Sequence, residues 1–268
     1  MTANLSLPTG DGTTTVAWKS SDTSWLTDTG LLVKRPAVGQ PPVTVKLTVT
    51  VTKGTATATR TFDVTIAPWT TADMSYPAGT DLATSFQDGQ PQPLSNSRLI
   101  SSHIGEFCCG IGGMETTRGS VDSIPQHDGN AALLFSGEAI DPEPSAASSA
   151  VLPAGGIWVK PGAQLSYWVY PEAGDGRTST YVVMDALFTD GTYLHDLAAP
   201  ASNGGTSAPT SQGTRLQTNA WQPVTLDIGA VAGGKQLQSL VFSFGSGDLN
   251  GQYRGFVDSV AMTHPASS

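Results

Sequence analysis

The chain has 268 residues, a length that suits two domains better than one small one. Its 22 acidic residues outnumber its 13 basic ones, giving a formal net charge of −9 with no cluster of Lys or Arg. Nucleic acid and anionic lipid are therefore excluded as partners, and a neutral or cationic ligand fits better. No stretch nears the ~20 apolar residues needed to span a bilayer, and a chain only 13% charged but rich in Gly, Ser, Thr, Pro and Ala favours short strands and many turns, so it reads as all-β.

Period-two alternation appears first in Thr15-Val16-Ala17-Trp18, then in Val43 to Val51 and in Thr59 to Ile66. One face of each run is apolar and the other Thr-rich, as an antiparallel sheet with one buried face requires. Lys53-Gly54-Thr55 makes the tight turn that joins the last two strands as a hairpin. Trp18 and Trp25 read as core residues rather than as sugar platforms.

The runs Val16 to Asp22, Leu31 to Pro36 and the Leu47 to Ile66 hairpin resemble a bacterial immunoglobulin-like domain over roughly residues 3–67. The resemblance implies a spacer domain over residues 1–68, of the kind attached to extracellular carbohydrate-active enzymes. The resemblance further implies that its first strand is missing, as in a piece of a longer protein. Ala67 to Gly79 has two prolines, a glycine and no periodicity, and reads as a connection with a boundary near residue 75. Trp69 and Tyr76 are candidates to pack at the domain interface.

The second domain is expected over residues 76–264. Short apolar-alternating runs recur at Ser85-Phe86-Gln87, Ala131 to Gly137, Ile157-Trp158-Val159, Gln164 to Pro171, Tyr181 to Phe188, Gln222 to Ile228, Leu240 to Phe244 and Gly255 to Met262. That number of strands fits a jelly roll, so the fold class is a small immunoglobulin-like sandwich plus a larger β-sandwich jelly roll. Between the first two runs lie the only two cysteines, Cys108 and Cys109, adjacent in a glycine-rich stretch. They can close on each other as a vicinal disulfide, stay as two thiols, or merely stiffen the turn; their presence in an acidic, Thr-rich chain suggests export to an oxidising space.

Phe86-Gln87-Asp88-Gly89, Gly129 to Leu133, Pro161-Gly162 before Leu165 to Tyr170, and Phe256 to Val260 resemble a galactose-binding-like jelly-roll carbohydrate-binding module. Phe107 to Thr116, Phe188 to Leu197 and Tyr253 to Asp258 are more closely similar to the sugar-binding-like domain at the head of some actinobacterial glycoside hydrolases, family 92 α-mannosidases among them. The resemblance implies a bacterial, secreted or cell-surface accessory region that binds an oligo- or polysaccharide beside a flanking catalytic domain, as a monomer. It also implies a structural calcium at Gln87, the His127-Asp128-Gly129 turn and Asp258, although the family commonly has Glu where this chain has Gln87.

Sugar contacts are expected at Cys108, Cys109, Trp168, Asp185 and Arg254. Ser166, Trp168 and Tyr170 alternate with Leu165, Tyr167 and Val169, so one triplet faces the core and the other does not. Asp185 lies mid-strand among apolar neighbours and must be hydrogen-bonded or on an open face; it could share a face with Trp168 and Arg254, or be pinned by Arg254 or backbone donors while Trp168 is core. Catalysis by the chain itself is not expected. No feature pairs any two of Glu106, Glu115, Glu138, Asp185, Asp190 and Asp196 as a glycosidase requires, and His103, His127, His195 and His264 lack zinc spacing. A purely structural role without a ligand remains the alternative.

Overall fold

The computed structural model describes residues 1–70, 77–93, 111–119, 124–139, 146–173, 175–245 and 250–267. Cys108 and Cys109, Tyr76, and the connection through residues 71–76 lie outside the described residues.

Strands β1 (Thr15–Ser20), β2 (Val43–Lys53) and β3 (Ala56–Ile66) form an antiparallel sheet in the order β1-β2-β3. The β2–β3 hairpin turns at Gly54, whose φ of 59° lies in the left-handed region that glycine enters freely. Its solvated face is a ladder of facing threonines: Thr48 and Thr61 are 3.0 Å apart, and Thr50 and Thr59 3.4 Å. The opposite face carries Val45, Leu47 and Ile66, which pack with Leu26 and Leu32 as a small core. Extended segments supply the facing layer in place of a regular second sheet. Leu26 bridges Leu32, and Leu5 donates its N–H to the Gly30 carbonyl. Trp18 and Trp25 are half-buried at the rim of this core, so they serve packing as expected.

The larger domain is a two-layer sandwich. Its main sheet runs β10 (Gln222–Leu226), β8 (Gln164–Pro171), β12 (Gly251–His264), β6 (Ala132–Ala139) and β5 (Ile111–Gly119), with β4 (Gly79–Thr84) also paired to β12. The facing sheet runs β7 (Ala146–Pro153), β11 (Leu237–Gly245) and β9 (Val182–Phe188). Between them lies one continuous core, centred on Phe135, whose ring is 4.6 Å from Phe242 and 6.1 Å from Phe244. Each such side chain removed from water stabilises the fold by roughly 1.5–3 kcal/mol, and the tilted and edge-on ring pairs add to that.

β12 organises the main sheet. It pairs β8 along one edge, while its other edge pairs β6 through Val257 and β4 from Val260 onward. The change of partner occurs at Asp258–Ser259, where Ser259 has φ 51° and the register against β8 shifts. A bulge of this kind bends the strand and re-aims its side chains.

Two expected strands are absent. Ser85-Phe86-Gln87 is irregular, with a bend at Phe86 (φ 58°), and Ile157-Trp158-Val159 makes only the isolated bridge Trp158–Gln236. Trp158 belongs instead to the joint between domains. It packs against the small core of the first domain and meets Trp69 edge-on at 5.2 Å. Arg35 lies over Trp69 at 4.2 Å and donates to the carbonyls of Ala67 and Pro68.

Candidate functional site

The outward face of the main sheet is set by the alternation in β8. Leu165, Tyr167 and Val169 enter the core, so Ser166, Trp168 and Tyr170 point the other way. Cross-strand pairing places Pro223 and Asp258 opposite Trp168, and Phe256 opposite Tyr170, on that face. Trp221, just before β10, completes a strip of rings: it is 5.5 Å from Tyr170 and 5.8 Å from His127. His127 lies over Trp168 with ring centres 3.9 Å apart and planes 19° from parallel. Trp168, Tyr170 and Trp221 are half-buried and His127 is exposed, which leaves an aromatic surface open to solvent. Beside it, the exposed Arg254 forms an ion pair with Glu172.

Of the expected sugar contacts, Trp168 and Arg254 share this face and Cys108 and Cys109 lie outside the described residues. Asp185 does not join them. It stands on β9 in the other sheet, fully buried, and is pinned by neither Arg254 nor open water. One carboxylate oxygen accepts the Ala186 and His195 N–H groups at 2.7 and 3.1 Å; the other accepts His195 Nδ1 at 2.5 Å and the Ser243 hydroxyl at 2.6 Å. Burial works against charge on His195, and the hydrogen bond and charge of Asp185 together overcome it, holding the imidazole above its ordinary value. Tyr193 stacks on the same imidazole and is pushed up to about 12 by burial and by the charges of Asp185 and Asp196. With all its acceptor sites taken, Asp185 ties the first turn of α1 (Leu194–Leu197) to the sheet.

The residues expected to hold calcium do meet. Asp258 Oδ2 accepts the N–H groups of His127 and Asp128 at 3.1 and 2.8 Å, and its Oδ1 accepts that of Ser259 at 2.6 Å. Burial pushes the Asp258 carboxyl up, against the opposing pull of these three backbone donors. Gln87 donates Nε2 to the carbonyls of Ser85, Asp128 and Ala131 at 2.6, 3.0 and 3.3 Å, and its Oε1 accepts the Asn130 N–H at 3.0 Å. This donor set does not fit a calcium ion. The carbonyls that would ligate it already converge on an N–H₂ group, and both Asp258 oxygens are engaged by backbone donors. Among the described residues, no three His, Cys, Asp or Glu side chains are grouped to hold a metal.

A cleft of about 670 Å³ between the domains is lined by Trp69 and Trp158 among others, and two of its cationic side chains are committed. Arg35 is held by the Ala67 and Pro68 carbonyls, and Lys160 by Asp81 at 2.5 Å. The cleft is part of the joint.

Sequence reasoning missed Trp221 and His127 because neither lies in an alternating run. The signal for His127 was present in its turn, which the resemblance tied to Asp258 and hence to the end of the face that carries Trp168.

No curated protein sequence matches the chain. Among solved structures, a carbohydrate-binding module of the β-sandwich superfamily, described in work on promiscuous specificity, is 14% identical, with 83% of this chain and 74% of that one covered and a TM-score of 0.38. A family 11 carbohydrate-binding module from Clostridium thermocellum, in complex with a β-1,3-1,4-mixed-linked tetrasaccharide, is 11% identical over 64% of this chain and 97% of that one, with a TM-score of 0.31. The K3 cleaved adhesin domain of Lys-gingipain from Porphyromonas gingivalis is 12% identical over 69% and 99%, with a TM-score of 0.26. At these scores the likeness is slight. Residues 1–69 match the family model of the atrophied bacterial Ig domain.

Proposed function

We propose that the larger domain is a non-catalytic carbohydrate-binding module, and that it holds an oligo- or polysaccharide against the aromatic strip of its main sheet. The observation that carries this reading is the open surface formed by Trp168, Tyr170, Trp221 and His127 on a sheet whose other face is fully packed. Sugar rings present C–H groups to flat aromatic faces, and their hydroxyls need charged or amide partners at the border; Arg254 and Glu172 are placed to supply them. In the same proposal the first domain is a spacer, and the whole is a secreted accessory region of a larger glycan-acting enzyme. The Cys108-Cys109 stretch adds a loop contact as a vicinal disulfide.

Calorimetric titration of the chain with a panel of soluble plant and microbial oligosaccharides tests the proposal. Saturable binding to at least one sugar, abolished by Trp168→Ala, is the expected result, and silence across the panel would leave a purely structural role. Release of reducing sugar by the chain would replace it with an enzyme. For the cysteines, mass spectrometry under non-reducing conditions should find the thiols lost, and a Cys108→Ser, Cys109→Ser double variant that keeps full affinity removes them from the site.

A further inference from the structure

We infer that the side-chain amide of Gln87 stands where a cation would otherwise be needed, making the closure of the jelly roll a metal-independent lock. A single exchange, Gln87→Glu, should convert that lock into a calcium site. The inference is independent of what the aromatic face binds.

Three carbonyl oxygens, from Ser85, Asp128 and Ala131, converge on Gln87 Nε2. Such a cluster has strongly negative potential and is stable only around a cation or around N–H donors. The orientation of the amide is fixed by the Asn130 N–H on Oε1, because a flipped amide would set two donors against each other. Space is fitted to it as well: at Gly129, with φ 69°, a Cβ would come within 2.4 Å of Gln87 Cδ. Asp128 does not turn inward to form a ligand; its Oδ2 accepts the Ser85 hydroxyl at 2.8 Å. The lock thus joins the end of β4, the 127–130 turn and, through Asp258, the bulge of β12. His127 rides on the same turn, so its seat on Trp168 needs no ion.

In Gln87→Glu an oxygen replaces Nε2 and faces three carbonyl oxygens with no proton between them. That arrangement is repulsive until a cation enters, and calcium accepts six to eight oxygens at 2.3–2.6 Å. The test compares thermal unfolding of the whole chain in EDTA and in calcium chloride. Wild type should melt at the same temperature in both. Gln87→Glu should melt lower in EDTA, or fail to fold, and recover in calcium; at about a hundred times the dissociation constant, calcium should raise its folding equilibrium about a hundredfold. Gln87→Met, which keeps the shape but loses the donors, should melt lower than wild type and ignore calcium. A calcium-dependent rise in the wild-type melting temperature overturns the inference. So does a Gln87→Glu variant that melts like wild type in EDTA or gains nothing from calcium, or a Gln87→Met variant as stable as wild type.

Discussion

The imidazole of His127 lies flat on the indole of Trp168, their ring centres 3.9 Å apart. The two residues are far apart in sequence and come from different elements, a turn and a strand. What brings them together is Asp258, which faces Trp168 across the β8–β12 pairing and accepts the His127 N–H.

Trp168→Ala is therefore expected to weaken glycan binding by about 2 kcal/mol, roughly thirtyfold, as for a central aromatic anchor. His127→Ala should cost less, because an imidazole is a smaller ring than the indole and its removal leaves Trp168 and Trp221 in the strip. Calorimetric affinities measure both, and an unchanged melting temperature in each variant separates lost contact from lost folding.

Asp185→Ala should destabilise the jelly roll by about 3–5 kcal/mol, since it strands the half-buried His195 imidazole and the buried Ser243 hydroxyl without their shared acceptor. Urea unfolding checks this. A cost below 1 kcal/mol would show that the network can rearrange around the loss.

The same pair sets a pH dependence. A histidine held above its ordinary value of 6.5 contributes stability that is complete below that value and is lost as pH rises through the raised folded value. Melting temperature should accordingly fall as pH increases above about 6.5. His195→Gln, which cannot titrate, should flatten that part of the profile.

Trp158→Ala should uncouple the two domains. Its indole is the piece of the jelly roll that packs on the small core of the first domain and meets Trp69. Differential scanning calorimetry should show one transition in wild type and two in the variant, with glycan affinity unaltered because the aromatic face lies elsewhere.

Gly255→Ala tests the packing behind that face. A Cβ there would approach Phe135 Cζ and the Tyr170 carbonyl oxygen to 2.4 Å each, in the middle of β12. Overpacking of this order typically costs about 1–3 kcal/mol, read as a lower melting temperature.

Period-two alternation made β8 and the β2–β3 hairpin legible, because each buries one face and leaves the other wet. β7 was not legible, since Ala146-Ala147-Ser148-Ser149 has no alternation of polarity: its outward Ser148 is fully buried and bonded to Ser243 at 2.6 Å. β5 was hidden for a similar reason, as its Gly112-Gly113 pair carries no strand signal. The meeting of Gln87, Asp128 and Asp258 could be anticipated, but whether they enclose an ion depends on which way one amide points, and only Asn130 decides that. Asp185 was recognisable as a carboxylate needing partners; that His195 is the partner follows from the turn after β9, which folds α1 back over the sheet.

β12 is the last strand of the jelly roll in sequence and the middle one in space, pairing β4, β6 and β8 at once. Until it arrives, β6 and β8 have open edges and β4 has no neighbour. The main sheet is thus assembled from contacts that span nearly the whole domain, a high contact order that slows folding. On the ribosome the strand that joins the others emerges last of the domain's strands, so the main sheet closes only once β12 is out.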